Sequence, residues 1–299
     1  ESFYADLELT DLRYCVVYVD DDFTEATEGW GLNRFKTVQG GVDAVAAGGT
    51  VHVAAGAYAG ATLTKSVKLL GANAGVAGYG TRADESVISS VVNMTGNGTS
   101  VLIDGFKFAV TPYLMFGKND AASKQTADWI FQNNLVEASG AIYSEVGQVN
   151  LNWRDVVVTR NRFVNMTSNA VITHNVRSLT ATDNQFDTLG AGGNALVCQN
   201  IGSLTVAGNT FSNIGWNAVQ LVGAKSVTIT NNVCGNLGAE AFKLGGPIVN
   251  GVCSYNTIVG ANTANEVDVG GIRIRVAAGQ PYNVEIIGNY IENSFNGIA

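Results

Sequence analysis

The sequence predicts an all-β solenoid in which short parallel strands form one coil per repeat. The strongest evidence is an asparagine that recurs at nearly constant spacing, with steps of 27, 23, 25, 23, 24 and 33 residues. The recurring residues are Asn134, Asn161, Asn184, Asn209, Asn232, Asn256 and Asn289. Several stand in similar phrases, such as Val206-Ala-Gly-Asn-Thr-Phe211, with β-type runs and no helical period. Stacked coils would place these amides above one another, where their side chains can hydrogen-bond along the solenoid.

The composition fits such a fold. The chain has 299 residues with 36 glycines and 3 prolines, and charged residues make up 14%. Glycine suits tight corners between short strands, whereas proline would remove donors from the backbone hydrogen-bond ladder. The net charge of -8 argues against nucleic acid as a partner, because phosphate binding needs an excess of basic residues. No apolar run reaches the length of a membrane span.

The first 49 residues are expected to form a strand, a loop and a helix that covers the first coil. Tyr14-Cys-Val-Val-Tyr-Val19 is strand-like, and the acidic loop Asp20-Asp21-Asp22 follows it. Asn33 is a candidate N-cap for a helix from about Arg34 to Ala47, and Gly48-Gly49 would end that helix. Its apolar face would consist of Phe35, Val38, Val42 and Val45.

We interpret residues 1–299 as one domain. Early coils occupy residues 50–126 and are interrupted by loop excursions at 72–99 and 109–126, whereas regular coils fill residues 127–299. The chain stops inside a repeat, and an uncapped solenoid end exposes strand edges. We therefore expect that the chain is cut from a longer protein or that another molecule covers this end.

One segment carries a resemblance to a known group of proteins. Residues Arg34 to Tyr58, RFKTVQGGVDAVAAGGTVHVAAGAY, resemble the N-terminal capping helix and first coil of right-handed parallel β-helix proteins of the pectate-lyase-like superfamily. The later Asn-x-Phe repeats resemble the coils of that group, so the resemblance covers nearly the whole chain. It implies a right-handed parallel β-helix with an N-terminal capping α-helix. The superfamily includes pectate and alginate lyases, polygalacturonases, pectin methylesterases, uronan epimerases, phage tailspikes and surface proteins without known chemistry.

The catalytic phrases of those enzymes are not matched, so the resemblance implies a fold and no mechanism. Pectin methylesterases carry an Asp-Phe-Ile-Phe-Gly phrase. The run Asp128-Trp-Ile-Phe-Gln132 is similar, but it ends in Gln132 and lacks the partner motifs. Polygalacturonases carry Asn-Thr-Asp and Asp-Asp phrases. The run Ala181-Thr-Asp-Asn184 is only weakly similar to them.

Alternation along one strand of each repeat predicts inward and outward columns of side chains. The inward column is Ile142, Val171, Leu196, Val219, Phe242 and Ile272. The first outward column is Tyr143, Ile172, Val197, Gln220, Lys243 and Arg273. The second outward column is Glu145, His174, Gln199, Val222, Gly245 and Arg275. Because neighbouring coils stack about 4.8 Å apart, Gln220, Lys243 and Arg273 are expected to form a polar and basic row.

This row is the densest candidate site in the sequence. Lys243, Arg273 and Arg275 are the predicted contacts of an acidic sugar, because arginine pairs with carboxylates through two hydrogen bonds and lysine supplies charge. Gln220 and the aromatic Tyr143 are further candidate ligand-binding residues. The alternative is a solvated strand face that carries ordinary polar residues.

No catalytic residue is identified, and four residues are candidates. As in the related lyases, Lys243 or Arg273 with a lowered pKa could remove the proton next to a uronate carboxylate. Glu240 stands just before that strand, at a position that asparagine holds in other repeats. His174 could serve in acid–base chemistry, although a lone surface histidine needs no function.

Hydrolysis would require two carboxylates that face one groove. The acids that follow a ladder asparagine by one turn are Glu137, Asp187 and Glu292. They stand in repeats that are not adjacent, so no carboxylate pair is predicted. No metal or other cofactor is predicted. Calcium, which needs several oxygen ligands, would suit only the acids at Asp20–Asp22 or at Glu266 and Asp268.

Together these features predict an extracellular or cell-surface β-helix protein that binds a polysaccharide along the outer face of its later coils. A further hypothesis is that the protein acts on the bound polysaccharide as a uronan lyase or epimerase. The alternative is a non-enzymatic structural, adhesin or self-assembling module that associates through its C-terminal end. The uncapped end and the absence of paired acids favour the alternative.

Overall fold

The structure is a computed structural model. It describes residues 14–96, 98–109, 114–116, 128–137, 142–144, 155–263, 269–276, 278–294 and 296–299. At residues 114–116 and 143–144 it describes the backbone alone.

The described residues form one short α-helix and a succession of β-strands. The helix is α1, Val38–Ala44. The first strands are β1 (Tyr14–Val19), β2 (Arg34–Phe35), β3 (Val45–Val53), β4 (Gly56–Tyr58), β5 (Thr62–Leu63), β6 (Val67–Leu70), β7 (Ser86–Ile88), β8 (Asn93–Met94), β9 (Ser100–Asp104), β10 (Lys107–Phe108), β11 (Leu114–Phe116), β12 (Asp128–Gln132), β13 (Leu135–Val136) and β14 (Ile142–Ser144). The later strands are β15 (Asp155–Thr159), β16 (Arg162–Met166), β17 (Val171–His174), β18 (Ser178–Thr182), β19 (Gln185–Leu189), β20 (Leu196–Ala207), β21 (Thr210–Ile214), β22 (Val219–Thr230), β23 (Val233–Leu237), β24 (Phe242–Ser254), β25 (Thr257–Val259), β26 (Ile272–Arg275), β27 (Tyr282–Ile287) and β28 (Tyr290–Glu292).

The described strands pair in parallel and belong to two sheets of 18 and 10 strands. A strand pairs with the strand that holds the same place in the next repeat. In the smaller sheet, for example, β16 pairs with β19 and β19 pairs with β21. The protein is therefore all-β with long parallel sheets, an arrangement compatible with the predicted β-helix solenoid.

The predicted asparagine ladder is confirmed. The side-chain Nδ2 of each asparagine donates to Oδ1 of the next one at 2.8 to 3.1 Å, without a break from Asn134 to Asn289. Each Nδ2 also donates to a backbone carbonyl of the preceding repeat, as Asn184 does to Val158 at 2.8 Å. The ladder asparagines from Asn134 to Asn256 are almost completely buried. Their polar groups therefore hydrogen-bond to one another and to the backbone in place of water.

The residue before each ladder asparagine has a positive φ. These residues are Asn133 (φ 56), Arg160 (φ 55), Asp183 (φ 53), Gly208 (φ 67), Asn231 (φ 55), Tyr255 (φ 54) and Gly288 (φ 62). The left-handed residue turns the chain between the two sheets, and the asparagine enters the interior directly after it. The turn and the ladder are thus one local structure, repeated along the chain.

The inward columns form a continuous apolar core. Residues of the predicted column from Ile142 to Ile272 are buried with 0% exposure. In the other sheet, the rings of Phe163, Phe186 and Phe211 stack with centroids 4.8 and 5.0 Å apart. Cys234 follows Phe211 in register and is 1% exposed, so a thiol takes the place of the aromatic ring there.

The prediction of the N-terminal helix was wrong in its bounds and its cap. Arg34 and Phe35 belong to β2, and Val45 begins β3, so α1 has only 7 residues. The N-cap is Thr37, whose hydroxyl accepts the Gly40 N–H at 3.1 Å. Strand pairing outcompetes the helix at both ends, and Gly40 and Gly41 weaken it from within. The carbonyl of Asn33 instead accepts the N–H of Tyr18.

The first loop excursion is shorter than predicted. It runs over residues 71–85, because β7 and β8 already rejoin the sheets within the span 72–99. Arg82 pairs with Glu85 at 2.6 Å and donates to the carbonyls of Asn133 and Phe106. The excursion therefore lies over the turns of the following repeats, where the Gly78 N–H also donates to the Arg160 carbonyl at 2.8 Å. In the span 109–126, residues 109 and 114–116 (β11) are described and the rest lie outside the described residues.

Candidate functional site

The two predicted outward columns are in register in the larger sheet, except for Glu145, which lies outside the described residues. Val197, Gln220, Lys243 and Arg273 are successive partners across β20, β22, β24 and β26. The second column, His174, Gln199, Val222, Gly245 and Arg275, is also in register. The polar and basic row therefore forms on the outer face of the last long strands.

Lys243 and Arg275 line a shallow depression of about 460 Å³ in this face. Its other walls are Leu221, Val222, Gly245, Gly246 and Val276. A change of register between β22 and β24 opens it: Val222 pairs with Gly245, but Ala224 pairs with Ile248. The extra residue in β24 is a bulge, and bulges redirect neighbouring side chains.

The two cations of the depression are close but not adjacent. Arg275 pairs with Gly245, two residues beyond Lys243 on β24. From a strand spacing of about 4.8 Å and a rise of about 3.3 Å per residue, their Cα atoms lie roughly 8 Å apart. Among the residues that the structure describes, neither has an acidic partner.

Arg273, by contrast, is paired. Its Nη1 lies 3.1 Å from Oε1 of Glu240, whose side chain is only 2% exposed. Glu240 ends a second amide ladder, because its backbone N–H donates to Oδ1 of Asn217. The earlier members of that ladder are Asn169, Asn194 and Asn217. The pairing neutralises a buried carboxylate, so Arg273 has a structural partner that Lys243 and Arg275 lack.

The remaining predicted site residues lie at different distances from the depression. Gln220 is next to Lys243, and its Oε1 accepts a weak bond from Asn217 Nδ2 at 3.4 Å. His174 lies four strands from Arg275, which is about 19 Å at 4.8 Å per strand. Tyr143 lies three strands from Gln220, and its side chain is outside the described residues. His174 is therefore not part of the Lys243 site.

The structure shows a carboxylate pair that the sequence analysis missed. Asp128 and Asp155 are neighbours at the start of β12 and β15, and the Asp155 N–H donates to Asp128 Oδ1 at 2.8 Å. Arg177 donates to Asp155 through Nε at 2.8 Å and through Nη2. The hydrogen bond from Arg177, helped by one from Ser178, lowers the pKa of Asp155 against the opposing effect of burial.

A sequence signal for this pair existed. Asp128 and Asp155 are 27 residues apart, as are Asn134 and Asn161, so each aspartate stands six residues before a ladder asparagine. The Asp155 side chain is 41% exposed and the Arg177 side chain 49% exposed. An ion pair this exposed contributes little to stability, and Arg177 occupies the oxygens that a general base would need.

The acidic loop after β1 is held by the protein itself. Asp21 Oδ2 accepts the Ala57 N–H at 3.0 Å, and Asp20 Oδ1 accepts the Asp22 N–H at 3.0 Å. Burial, followed by the nearby aspartates, raises the pKa of Tyr58 to about 12. Within the described ranges, no three His, Cys, Asp or Glu residues group as metal ligands. Glu266 and Asp268 lie outside those ranges.

Comparisons of this chain with protein-family models, with curated proteins and with solved structures gave no match. In the part of the chain that the structure describes, no helix is long and apolar enough to cross a membrane.

Proposed function

We propose that this chain is a right-handed parallel β-helix of the pectate-lyase-like kind, with a single domain over residues 1–299. The parallel pairing and the amide ladder support the proposal. So do the contacts of α1 with β1 and β3, which fit a helix that covers the first coil. The right-handed sense of the β-helix is proposed on two grounds. The segment from Arg34 to Tyr58 resembles right-handed β-helix proteins, and connections between parallel strands strongly prefer that hand.

We further propose that the protein is extracellular or at the cell surface and binds an acidic polysaccharide. One observation carries this proposal: Lys243 and Arg275 line the same depression without an acidic partner among the described residues. Unpaired cations on a protein of net charge -8 are suited to a specific carboxylate ligand.

The walls of the depression fit a uronate ring. Arg275 can pair with the carboxylate through two hydrogen bonds, and Lys243 supplies a second charge. Val222 and Val276 offer apolar surface to the C–H groups of the ring, while Gly245 and Gly246 leave room above the backbone. Gln220 extends the row of hydrogen-bonding groups along the strand.

We propose lyase or epimerase chemistry as a further activity of this site once a uronate is bound. A base would remove the proton next to the uronate carboxylate. In a lyase the electrons then form a double bond as the glycosidic oxygen leaves. Lys243 in its uncharged form is the candidate base, because Arg273 and Glu240 hold each other. Ultraviolet absorbance from unsaturated uronate ends would reveal a lyase.

Calorimetric titration with oligogalacturonate at low salt tests the binding proposal. We expect the double variant Lys243→Ala, Arg275→Ala to bind at least about tenfold more weakly, since each charged hydrogen bond contributes about 1.5 kcal/mol or more. Lys225→Ala is the matched control, because Lys225 is an exposed lysine of β22 outside the depression. Equal affinity of the double variant and the wild type, or no binding by the wild type, would refute the proposal. Titrations with calcium and with a chelator show whether a metal contributes.

A structural or self-assembling role is the second candidate. Light scattering over a range of concentrations distinguishes the two roles, because assembly predicts a mass that rises with concentration.

A further inference from the structure

A second surface lies at the corner where the chain passes from the 10-stranded sheet to the 18-stranded sheet. Trp216 is 37% exposed at this corner. Its backbone N–H donates to the Gly193 carbonyl at 3.0 Å, and its own carbonyl accepts the Ala239 N–H at 3.1 Å. The neighbouring repeats therefore place glycine and alanine beside the indole, and neither has a side chain large enough to cover it.

The indole also has an unused polar tip. Its N–H has no hydrogen-bond partner among the residues that the structure describes. Tryptophan combines a large apolar face with a single donor, which is why it is enriched where proteins bind partners.

A row of polar side chains runs along the same corner. Asn236 Nδ2 donates to Asn213 Oδ1 at 2.7 Å, and Asn213 Nδ2 donates to Asp187 Oδ1 at 3.1 Å. Asn213 and Asn236 hold left-handed backbone conformations, with φ of 54 and 55. The row is exposed, yet its members orient one another before any ligand arrives. Such preorganisation reduces the entropy cost of binding.

The row borders a depression of about 350 Å³, which Asn213, Asn236, Gly215 and Gly238 line. Gly215 is the residue before Trp216 in the chain. A Cβ on Gly215 would lie 2.0 Å from the Gly190 carbonyl oxygen, and one on Gly238 would lie 2.2 Å from that of Gly215. Close stacking of the repeats thus requires glycine at these two positions, and the absence of side chains there keeps the depression open.

We propose that this corner is a second saccharide subsite, which takes an uncharged sugar unit of the same polysaccharide. The inference rests on the proposed function. The indole offers a flat face to the C–H groups of a ring, and the amides supply both donors and acceptors to its hydroxyls. Among the described residues, the lining of the depression contains no lysine or arginine, and the Asp187 carboxylate would repel a uronate. The corner therefore complements the cationic depression around Lys243.

Two probes separate the subsites: oligogalacturonate, and the same oligomer with its carboxyl groups reduced to alcohols. We expect Trp216→Ala to weaken binding of the reduced probe by about three- to tenfold, the range of one aromatic contact. Binding of oligogalacturonate should be nearly unchanged, because every unit of that probe carries a carboxylate. Trp216→Phe should recover part of the affinity, because it keeps a ring. The variant Lys243→Ala, Arg275→Ala should weaken only the charged probe. Thermal unfolding of each variant verifies that it is folded.

The outcomes are distinguishable. If Trp216→Ala is folded and binds the reduced probe as the wild type does, the second subsite is overturned while the Lys243 site can stand. If the wild type does not bind the reduced probe, the second subsite is overturned as well. If Trp216→Ala weakens binding of the reduced probe but the Lys243 and Arg275 variant changes binding of neither probe, the corner is supported and the cationic site is not.

Discussion

Asn184 donates both its backbone N–H and its side-chain Nδ2 to a single atom, Oδ1 of Asn209, each at 2.9 Å. Asn209 repeats the arrangement with Asn232, at 3.0 Å for both bonds. Asn184 is 1% exposed and Asn209 is 0% exposed. One side chain thus satisfies a backbone donor and a side-chain donor of its neighbour where water cannot reach either.

Replacement of Asn209 by alanine should therefore be costly. It leaves the backbone N–H of Asn184 and one of the two Nδ2 hydrogens buried without an acceptor, at about 1–3 kcal/mol for each, while the other Nδ2 hydrogen keeps the Val158 carbonyl. We expect Asn209→Ala to lower the free energy of unfolding by about 2–5 kcal/mol in urea titrations followed by circular dichroism. Ser203→Ala, at an exposed position of the neighbouring strand β20, should change it by less than about 0.5 kcal/mol. Similar effects of the two variants would contradict the role assigned to the ladder.

The ladder and the columns were predictable because they are periodic. The ladder asparagines on either side of Asn209 are 25 and 23 residues away. Once the repeats are aligned on them, the alternation of side chains along a strand predicts that Lys243 faces outward. The pairing of Arg273 with Glu240 was not predictable, because it joins residues 33 apart in a repeat of unusual length. The helix bounds failed for a related reason: pairing of Arg34 and Val45 with β1 decides their conformation, and local helical pattern cannot reveal it.

The Arg273–Glu240 pair allows a test by double-mutant cycle. Arg273→Ala leaves the nearly buried Glu240 carboxylate without its cation. We expect a loss of about 2–4 kcal/mol in the free energy of unfolding, since the cost of an unpaired buried charge is reduced by the partial exposure of the site. Adding Glu240→Gln removes the charge, so the double variant should be more stable than Arg273→Ala alone. Strictly additive losses in chemical denaturation would show that the two residues do not interact.

The buried cysteines predict a loss of stability at high pH. Burial raises the pKa of the Cys198 and Cys253 thiols to about 12, and raises that of Cys234 further. In the unfolded chain the thiols ionise near pH 8.5. Stability is therefore unaffected below about pH 8 and falls as the pH rises toward 12, because only the unfolded state releases these protons. Within that window each thiol lowers the free energy of unfolding by about 1.4 kcal/mol for each unit by which the pH rises.

Urea midpoints measured from pH 7 to pH 10 test this dependence. Cys198→Val removes one thiol and should reduce the slope by about 1.4 kcal/mol per pH unit. A thiol reagent at pH 8 should label only the exposed Cys15 in the native protein, and all four cysteines in urea. Labelling of Cys198 in the native protein, or an unchanged slope in Cys198→Val, would contradict the assigned burial.

The left-handed turn at Tyr255 predicts a stabilising substitution. Tyr255 is 63% exposed with φ 54, where the other repeats carry Gly208 or Gly288. A tyrosine in this conformation costs about 1–2 kcal/mol relative to glycine, against about 0.5–1 kcal/mol for the greater freedom of glycine in the unfolded chain. We expect Tyr255→Gly to raise the free energy of unfolding by about 0.5 kcal/mol. Gly288→Ala should do the reverse, because its Cβ would lie 2.7 Å from the Tyr255 ring at φ 62. If thermal unfolding shows that Tyr255→Gly is less stable than the wild type, packing of the ring over Gly288 outweighs the backbone strain.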